Sequence, residues 1–273
     1  MRISTVLLCS GVGLATLLAS CGRPAEHAAR PTMSVPVATA PVQRLSQPQQ
    51  HAVAGPVDPD KRVGAIFLNG GNVHVCTGSV VHSASGNLVM TAAHCLAGAT
   101  QISFVPGFAG DAPSVEAWQA DAVYLDPRWT LSKDPRADYA IVRVINAGAG
   151  PVESYAGLAL TLGTAPPPGS QVTVMGYPAG VGGSPIGCQA STAVNETGFP
   201  SLPCEGLVDG TSGAPWVSGT TLTGLIGGFE RGGCAPNVSY TAPFDAQTAQ
   251  LLARAEAGGP GDTVAGDLDG SCQ

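Results

Sequence analysis

From Arg62 to Phe229 the chain is written in short apolar runs separated by turn residues, a texture with little room for long helices. Val63–Leu68 gives way to Asn69-Gly70-Gly71-Asn72, Val73–Val81 to the polar stretch Ser83–Asn87, and Leu88–Ala93 follows. Positive φ angles are cheap for glycine and asparagine, so Asn-Gly-Gly-Asn marks a hairpin. Further strands are predicted at Gln101–Val105, Ala117–Leu125, Tyr139–Ile145, Gln171–Gly176, Ala214–Ser218 and Thr223–Phe229. The break at Pro166-Pro167-Pro168-Gly169, with the loose stretch before it, suggests a boundary near 150–160. One helix is predicted, Pro243–Ala255, with Asp245 or Thr248 as its cap and Leu251, Leu252 and Ala255 on one face. The fold class is therefore all-β with a C-terminal helix: a first half over 61–155, a second over 156–257, and a polar, Gly-rich loose tail over 258–273. Plentiful glycine (37) and proline (23), with only 11% charged residues, suit such a loop-rich architecture.

The N-terminal end reads differently. Residues 1–20 carry one charge, Arg2, and an apolar run through Leu7, Leu8, Leu14, Leu17 and Leu18, short for a membrane span and right for a signal peptide. The run closes in Leu18-Ala19-Ser20-Cys21, which resembles the lipobox of bacterial lipoproteins. That resemblance implies cleavage before Cys21, acylation of Cys21, and export to the cell envelope on a lipid anchor, or secretion where the lipobox is not used. Residues 22–60 hold seven prolines without any sustained period, so 21–60 is expected to be a lipidated cysteine on a disordered tether. Fully stretched, such a tether reaches ~130 Å. The formal charge of −7 provides no electrostatic footprint for nucleic acid and would be repelled by an anionic membrane surface, so membrane contact is expected only through the lipidated end.

With Cys9 in the signal and Cys21 assigned to lipid, six cysteines remain: Cys76, Cys95, Cys188, Cys204, Cys234 and Cys272. An even number in an exported chain reads as disulfides, and spacing alone does not choose among the pairings. A zinc site built from His74, Cys76, His94 and Cys95 is disfavoured, because the spacing lacks a C-x-x-C element and the compartment is oxidising.

Three segments carry chemistry: Thr91-Ala92-Ala93-His94-Cys95 at the end of an apolar strand, Ala137-Asp138-Tyr139-Ala140-Ile141-Val142 where an acid opens one, and the glycine-flanked Gly210-Thr211-Ser212-Gly213-Ala214-Pro215. A serine hydroxyl is a poor nucleophile at neutral pH and needs a base within hydrogen-bond reach. Histidine, whose pKa is roughly 6.5, takes and returns a proton near pH 7. A buried carboxylate on the far ring nitrogen fixes the tautomer and stabilises the imidazolium. The glycines allow the N–H groups of Gly210 and Ser212 to converge where an oxyanion would form, and one such donor is worth about 2.7–4 kcal/mol. Asp121, Asp126 and Asp134 lie nearby, but only Asp138 directly opens a strand. The order His, Asp, Ser, with strands following the serine, does not fit an α/β-hydrolase elbow.

These segments resemble the histidine, aspartate and nucleophile motifs of the trypsin/chymotrypsin-like serine proteases, over roughly 62–255. The resemblance implies two packed antiparallel six-stranded β-barrels, His94 and Asp138 on the first and Ser212 on the second, with no metal or organic cofactor. It implies a Cys76–Cys95 staple on the histidine loop, a ring of about 20 residues worth roughly 3 kcal/mol. Cys188 and Cys204 flank a loop before the nucleophile and are expected to pair, which leaves Cys234 with Cys272. Gly224-Leu225-Ile226-Gly227 follows where the family has the strand lining the substrate cleft, and Gly227-Gly228-Phe229 is expected to offer backbone hydrogen bonds to an extended peptide by strand addition.

Departures from the family pattern matter as well. The residue before the nucleophile is Thr211 where the family often has Asp, so Lys61-Arg62-Val63 is not expected to be an activation cut. Gly227 replaces a serine that commonly hydrogen-bonds the catalytic acid, so Asp138 must find another donor. Gly206 occupies the position of the acid that selects Arg or Lys, with Glu205 and Glu230 the nearest alternatives and both readable as solvated loop charges; a small or apolar preference is expected. The leading expectation is a serine endopeptidase acting on protein or peptide substrates. The alternative is a surface lipoprotein using this fold as a binding module, and an esterase preference comes third. Asn195-Glu196-Thr197 and Asn237-Val238-Ser239 match glycosylation acceptors without meaning in a bacterial lipoprotein.

Overall fold

A computed structural model describes residues 52–110 and 117–266. The first two strands, β1 (Ala52–Val53) and β2 (Gly55–Pro56), lie inside the stretch expected to be tether. They form because backbone hydrogen bonding is indifferent to side chains: the Ala54 N–H donates to Glu205 O at 2.8 Å and the Val57 N–H to Pro185 O at 3.1 Å. Residues 52–57 are therefore not tether but a strap over the second half of the molecule.

Strands β3 (Val63–Leu68), β4 (His74–Val81), β5 (Leu88–Thr91), β6 (Ile102–Pro106), β7 (Trp118–Leu125) and β8 (Ala140–Ile145) close into a barrel in the order β3-β4-β5-β8-β7-β6. β3, β5 and β6 are buried almost throughout, which explains their continuous apolar runs: both faces are covered. The interior includes Ile66, Val80, Leu88, Met90, Phe104, Trp118, Tyr124 and Ile141. The β5–β8 ladder pairs Thr91 with Ala140, which sets the end of one strand beside the start of the other.

The second half contains β9 (Thr161–Leu162), β10 (Gln171–Gly176), β11 (Ile186–Ser191), β12 (Ala193–Val194), β13 (Pro200–Leu202), β14 (Cys204–Glu205), β15 (Pro215–Ser218), β16 (Thr221–Leu225) and β17 (Ser239–Tyr240). Six strands make one sheet in the order β2-β11-β10-β15-β16-β9, joined by a three-stranded sheet β12-β13-β17 and the pair β1-β14. Pairing is antiparallel except for two short parallel contacts, β1 with β14 and β9 with β16. Val172, Val174, Ala214, Trp216 and Ile226 form its apolar interior. The strand expected to reach Phe229 stops at Leu225, because Phe229–Gly232 turns through a 3₁₀ segment with Glu230 and Arg231 both left-handed.

The C-terminal helix is Ala246–Ala257, later than expected because Asp245 and Thr248 both act in its cap: the Asp245 carboxylate accepts from the N–H groups of Gln247 and Thr248, and the Thr248 hydroxyl accepts from Asp245 N–H. The tail is not loose at its start either. Asp262 accepts from Leu125 N–H at 2.7 Å and pairs with Arg254, and its own N–H donates to Val123 O. Among the described residues no helix is long and apolar enough to cross a membrane.

Candidate active site

His94 sits in a 3₁₀ turn, Ala93–Leu96, that begins just beyond β5. Burial of Ala93, Cys95 and Leu96 turns the histidine outward, and its side chain keeps 10% exposure. Asp138 ends a second 3₁₀ turn, Pro135–Ala137, whose Asp134 carboxylate accepts from Arg136 N–H. The ladder between β5 and β8 brings the two turns together. Asp138 Oδ1 accepts the His94 backbone N–H at 2.9 Å, and Oδ2 faces His94 Nδ1 at 2.7 Å and accepts Gly228 N–H at 2.8 Å. Burial is the largest single influence on this carboxyl and pushes it up. The His94 ring and the hydrogen bonds from His94 and Gly228 outweigh it and hold the carboxyl below the usual range. An ionised Asp138 accepting at Oδ2 requires the proton on Nδ1, so in a neutral ring Nε2 is the acceptor.

Ser212 sits in a tight turn in which two glycines are required. Gly210 has φ 91°, and a Cβ there would run into Ala179 N and Tyr177 O. Gly213 has φ 81°, and a Cβ there would strike Thr77 O and the Thr91 hydroxyl, so the turn around Ser212 lies directly on the strands that lead to His94. Among the described residues, the N–H groups of Gly210 and Ser212 have no acceptor, whereas Thr211 N–H between them donates to Val208 O at 3.1 Å. His94 and Ser212 line one cavity of about 800 Å³. Ser212 Oγ makes no hydrogen bond among the described residues, so its link to Nε2 is not closed; sites of this kind tighten when substrate binds.

The model of the trypsin-like peptidase domain matches residues 76–225. The chain belongs to the trypsin-like peptidases. Solved structures agree on the fold. Protease Anisep from Arthrobacter nicotinovorans superposes with a TM-score of 0.65 at 24% identity, covering 76% of this chain and 100% of its own. A thermostable serine protease, AL20, from an extremophilic microorganism gives 0.63 at 24%, covering 73% and 99%. A Glu endopeptidase gives 0.59 at 15%, covering 76% and 97%. No curated protein matches the sequence.

Within this peptidase fold, the cavity lining includes Leu207, Val208, Asp209, Ile226 and Glu230–Gly233. Gly206, whose N–H donates to Pro236 O at 3.0 Å, brings no side chain to that position, whereas Glu230 is among the residues lining the cavity. Gly228, expected on the peptide-binding edge, instead uses its N–H on Asp138 and its C=O on Arg231 N–H. The Gly227 C=O and Phe229 N–H on either side have no partner among the described residues. The Phe229 ring packs between Phe199 and Tyr240.

Cys76–Cys95 and Cys188–Cys204 are disulfide-bonded. Cys21 and Cys272 lie outside the described residues, and with them the lipid attachment and the Cys234–Cys272 pair. A ring nitrogen of His94 lies within 4.8 Å of the Cys76 and Cys95 sulfurs, but those sulfurs are bonded to each other and offer no thiolate to a metal. His74 is elsewhere, buried among Phe67, Phe108 and Tyr177 with Nε2 on Gly182 O at 2.9 Å.

Two contributors escaped the sequence reading. Gly228 is the donor that replaces the missing serine hydroxyl at position 227, a need that was visible even though its answer was a backbone N–H. Thr77 looks like any threonine in a strand, yet its hydroxyl donates to Gly210 O at 3.0 Å.

Proposed function

We propose that this trypsin-like peptidase is a serine endopeptidase in which Ser212 is the nucleophile, His94 the general base and Asp138 the carboxylate that orients it. One observation carries the reading: His94 Nδ1 lies 2.7 Å from the carboxyl of fully buried Asp138, and His94 and Ser212 line the same cavity. His94 Nε2 takes the Ser212 Oγ proton as Oγ bonds to the peptide carbonyl carbon, and the resulting oxyanion is met by the N–H groups of Gly210 and Ser212. The C–N bond then breaks, the amine leaving with the proton from Nε2. Water, deprotonated by the same nitrogen, cleaves the acyl ester and returns the proton to Oγ.

Gly227 C=O and Phe229 N–H hold the substrate backbone as an added strand, and the Leu207, Val208 and Ile226 side chains favour an apolar residue at the acyl position. The same reading places the enzyme outside the cell, tethered to the envelope by acylated Cys21, which agrees with its two formed disulfides. Incubation of the full chain with a peptide library, followed by mass spectrometry of the products, tests it. Cleavage is expected, predominantly after apolar residues, and it should vanish in Ser212→Ala. An intact library, or cleavage that survives Ser212→Ala, refutes the assignment and gives the lead to a binding module of the same fold.

A further inference from the structure

Among the described residues, the turn around Ser212 is held by hydrogen bonds and has no ion pair. Thr211, the residue before Ser212, is 2% exposed, and its hydroxyl donates to Val208 O at 2.7 Å. The peptides around it are oriented by their carbonyls. In a planar trans peptide the C=O and N–H point in opposite directions. Asp209 C=O accepts Ala179 N–H at 2.8 Å, which turns the Gly210 N–H away from Ala179. Thr211 C=O accepts Ala214 N–H at 2.9 Å, which turns the Ser212 N–H the opposite way.

The carbonyls of Gly210 and Ser212 are the two remaining handles, and both end on Thr77. Its hydroxyl donates to Gly210 O at 3.0 Å, and its N–H donates to Ser212 O at 2.8 Å. The hydroxyl also accepts Tyr177 N–H at 2.9 Å, which directs its own proton towards Gly210. Thr77 C=O accepts the hydroxyl of Thr91, the last residue of β5, at 2.8 Å, and Thr77 has no exposed surface. Gly210 has no Cβ to restrict it, so hydrogen bonds on its two flanking peptides are what fix its φ and ψ. Of those, the bond to its own C=O is the one supplied by a side chain.

We propose that Thr77 is a positioning residue for the oxyanion site: its hydroxyl, together with the Thr211 N–H bond to Val208 O, pins the Gly210–Thr211 peptide and so fixes the Gly210 N–H relative to the Ser212 N–H. The inference rests on the serine-endopeptidase reading. Thr77 touches neither substrate nor reacting atoms and acts through Gly210 and Ser212.

The test uses the full chain carrying Thr77→Val, which keeps the branched shape and removes the hydroxyl, beside Thr77→Ser, which keeps the hydroxyl and removes the methyl. Peptide-amide kinetics, the rate of fluorophosphonate labelling and Tm are read for each. Thr77→Val is expected to lower kcat by about 10- to 100-fold with KM within about threefold, since oxyanion donors act mainly in the transition state and outright loss of one lowers kcat about 10²–10³-fold. Thr77→Ser is expected to stay within about threefold of the parent in kcat. Equal losses in both variants would show that the effect is not specific to the hydroxyl and would overturn the proposal, as would a folded Thr77→Val with parental kcat. Should Thr77→Val fail to fold, Thr77→Ala against Thr77→Ser, which differ by the hydroxyl alone, decides by the same criterion. A parent chain that neither turns over nor labels would sink the endopeptidase reading and this inference with it, an outcome distinct from a labelled parent and an equally labelled variant.

Discussion

Replacing Asp138 by asparagine changes one atom, and the structure shows why it cannot be neutral. The carboxylate accepts three N–H groups: the His94 backbone at Oδ1, and the His94 ring and Gly228 at Oδ2. An amide has one acceptor oxygen and one NH₂ group. With its oxygen at the Oδ2 position, the NH₂ confronts the His94 backbone N–H. With its NH₂ at the Oδ2 position, it confronts Gly228 N–H and forces His94 to accept at Nδ1, which puts the proton on Nε2. The first arrangement strands a buried donor and the second removes the base. A stranded buried donor costs about 1–3 kcal/mol. For a domain of this size each kcal/mol moves Tm by roughly 2–4 °C, so a fall of roughly 2–12 °C is expected. The wrong tautomer lowers kcat by roughly 10⁴-fold in sites of this geometry. Steady-state hydrolysis of a peptide amide and differential scanning calorimetry on Asp138→Asn read both effects. A folded variant whose kcat is within tenfold of the parent would refute the claim that Asp138 sets the His94 tautomer.

Three further outcomes follow from the same structure. Arg62 is ion-paired with Asp60, and the strap before it is strand-paired to the second half, so Arg62→Ala should retain full activity; an inactive, folded Arg62→Ala would show that cleavage there is required. Asp60, Asp126 and Asp138 all titrate below their usual range, burial pushing each up and being outweighed by Arg62, by Arg128 with Tyr139, and by His94 with Gly228. Their stabilising contribution is therefore complete above the unfolded carboxyl pKa of about 3.9 and is lost as pH falls through the lower folded values, so Tm should drop between about pH 4 and pH 2; an unchanged Tm over that interval contradicts it. Replacing Cys188 and Cys204 together by serine opens a loop whose ends are 16 residues apart and should lower stability by about 3 kcal/mol in a urea titration, whereas an unchanged midpoint would show that the bridge adds nothing.

What could be read in advance divides along physical lines. The barrel strands announce themselves because four to eight residues are enough to show an apolar run, and the segments around His94, Asp138 and Ser212 because each motif is continuous in sequence. Strands of two residues, such as β1, β2, β9 and β14, have no period to detect and exist only because a neighbouring backbone offers hydrogen bonds. The strap shows this most plainly: Ala52-Val53-Ala54-Gly55-Pro56 reads as tether, yet it pairs with Glu205 and Gly187. The end of β16 was hidden for another reason. Gly227-Gly228-Phe229 can continue a strand, and it is the left-handed pair Glu230 and Arg231, in a conformation neither residue type advertises, that turns the chain away. Thr77 illustrates the limit for function, because its partners Gly210, Ser212 and Tyr177 lie 100 or more residues further along the chain.

The central claim is that Ser212 is an activated nucleophile, and fluorophosphonate labelling of the purified chain followed by peptide mapping tests it most directly. Covalent modification at Ser212, abolished by His94→Ala and absent in Ser212→Ala, is the predicted result. Well-folded protein that takes up no probe, or that reacts at Ser212 as fast without His94 as with it, would contradict the account.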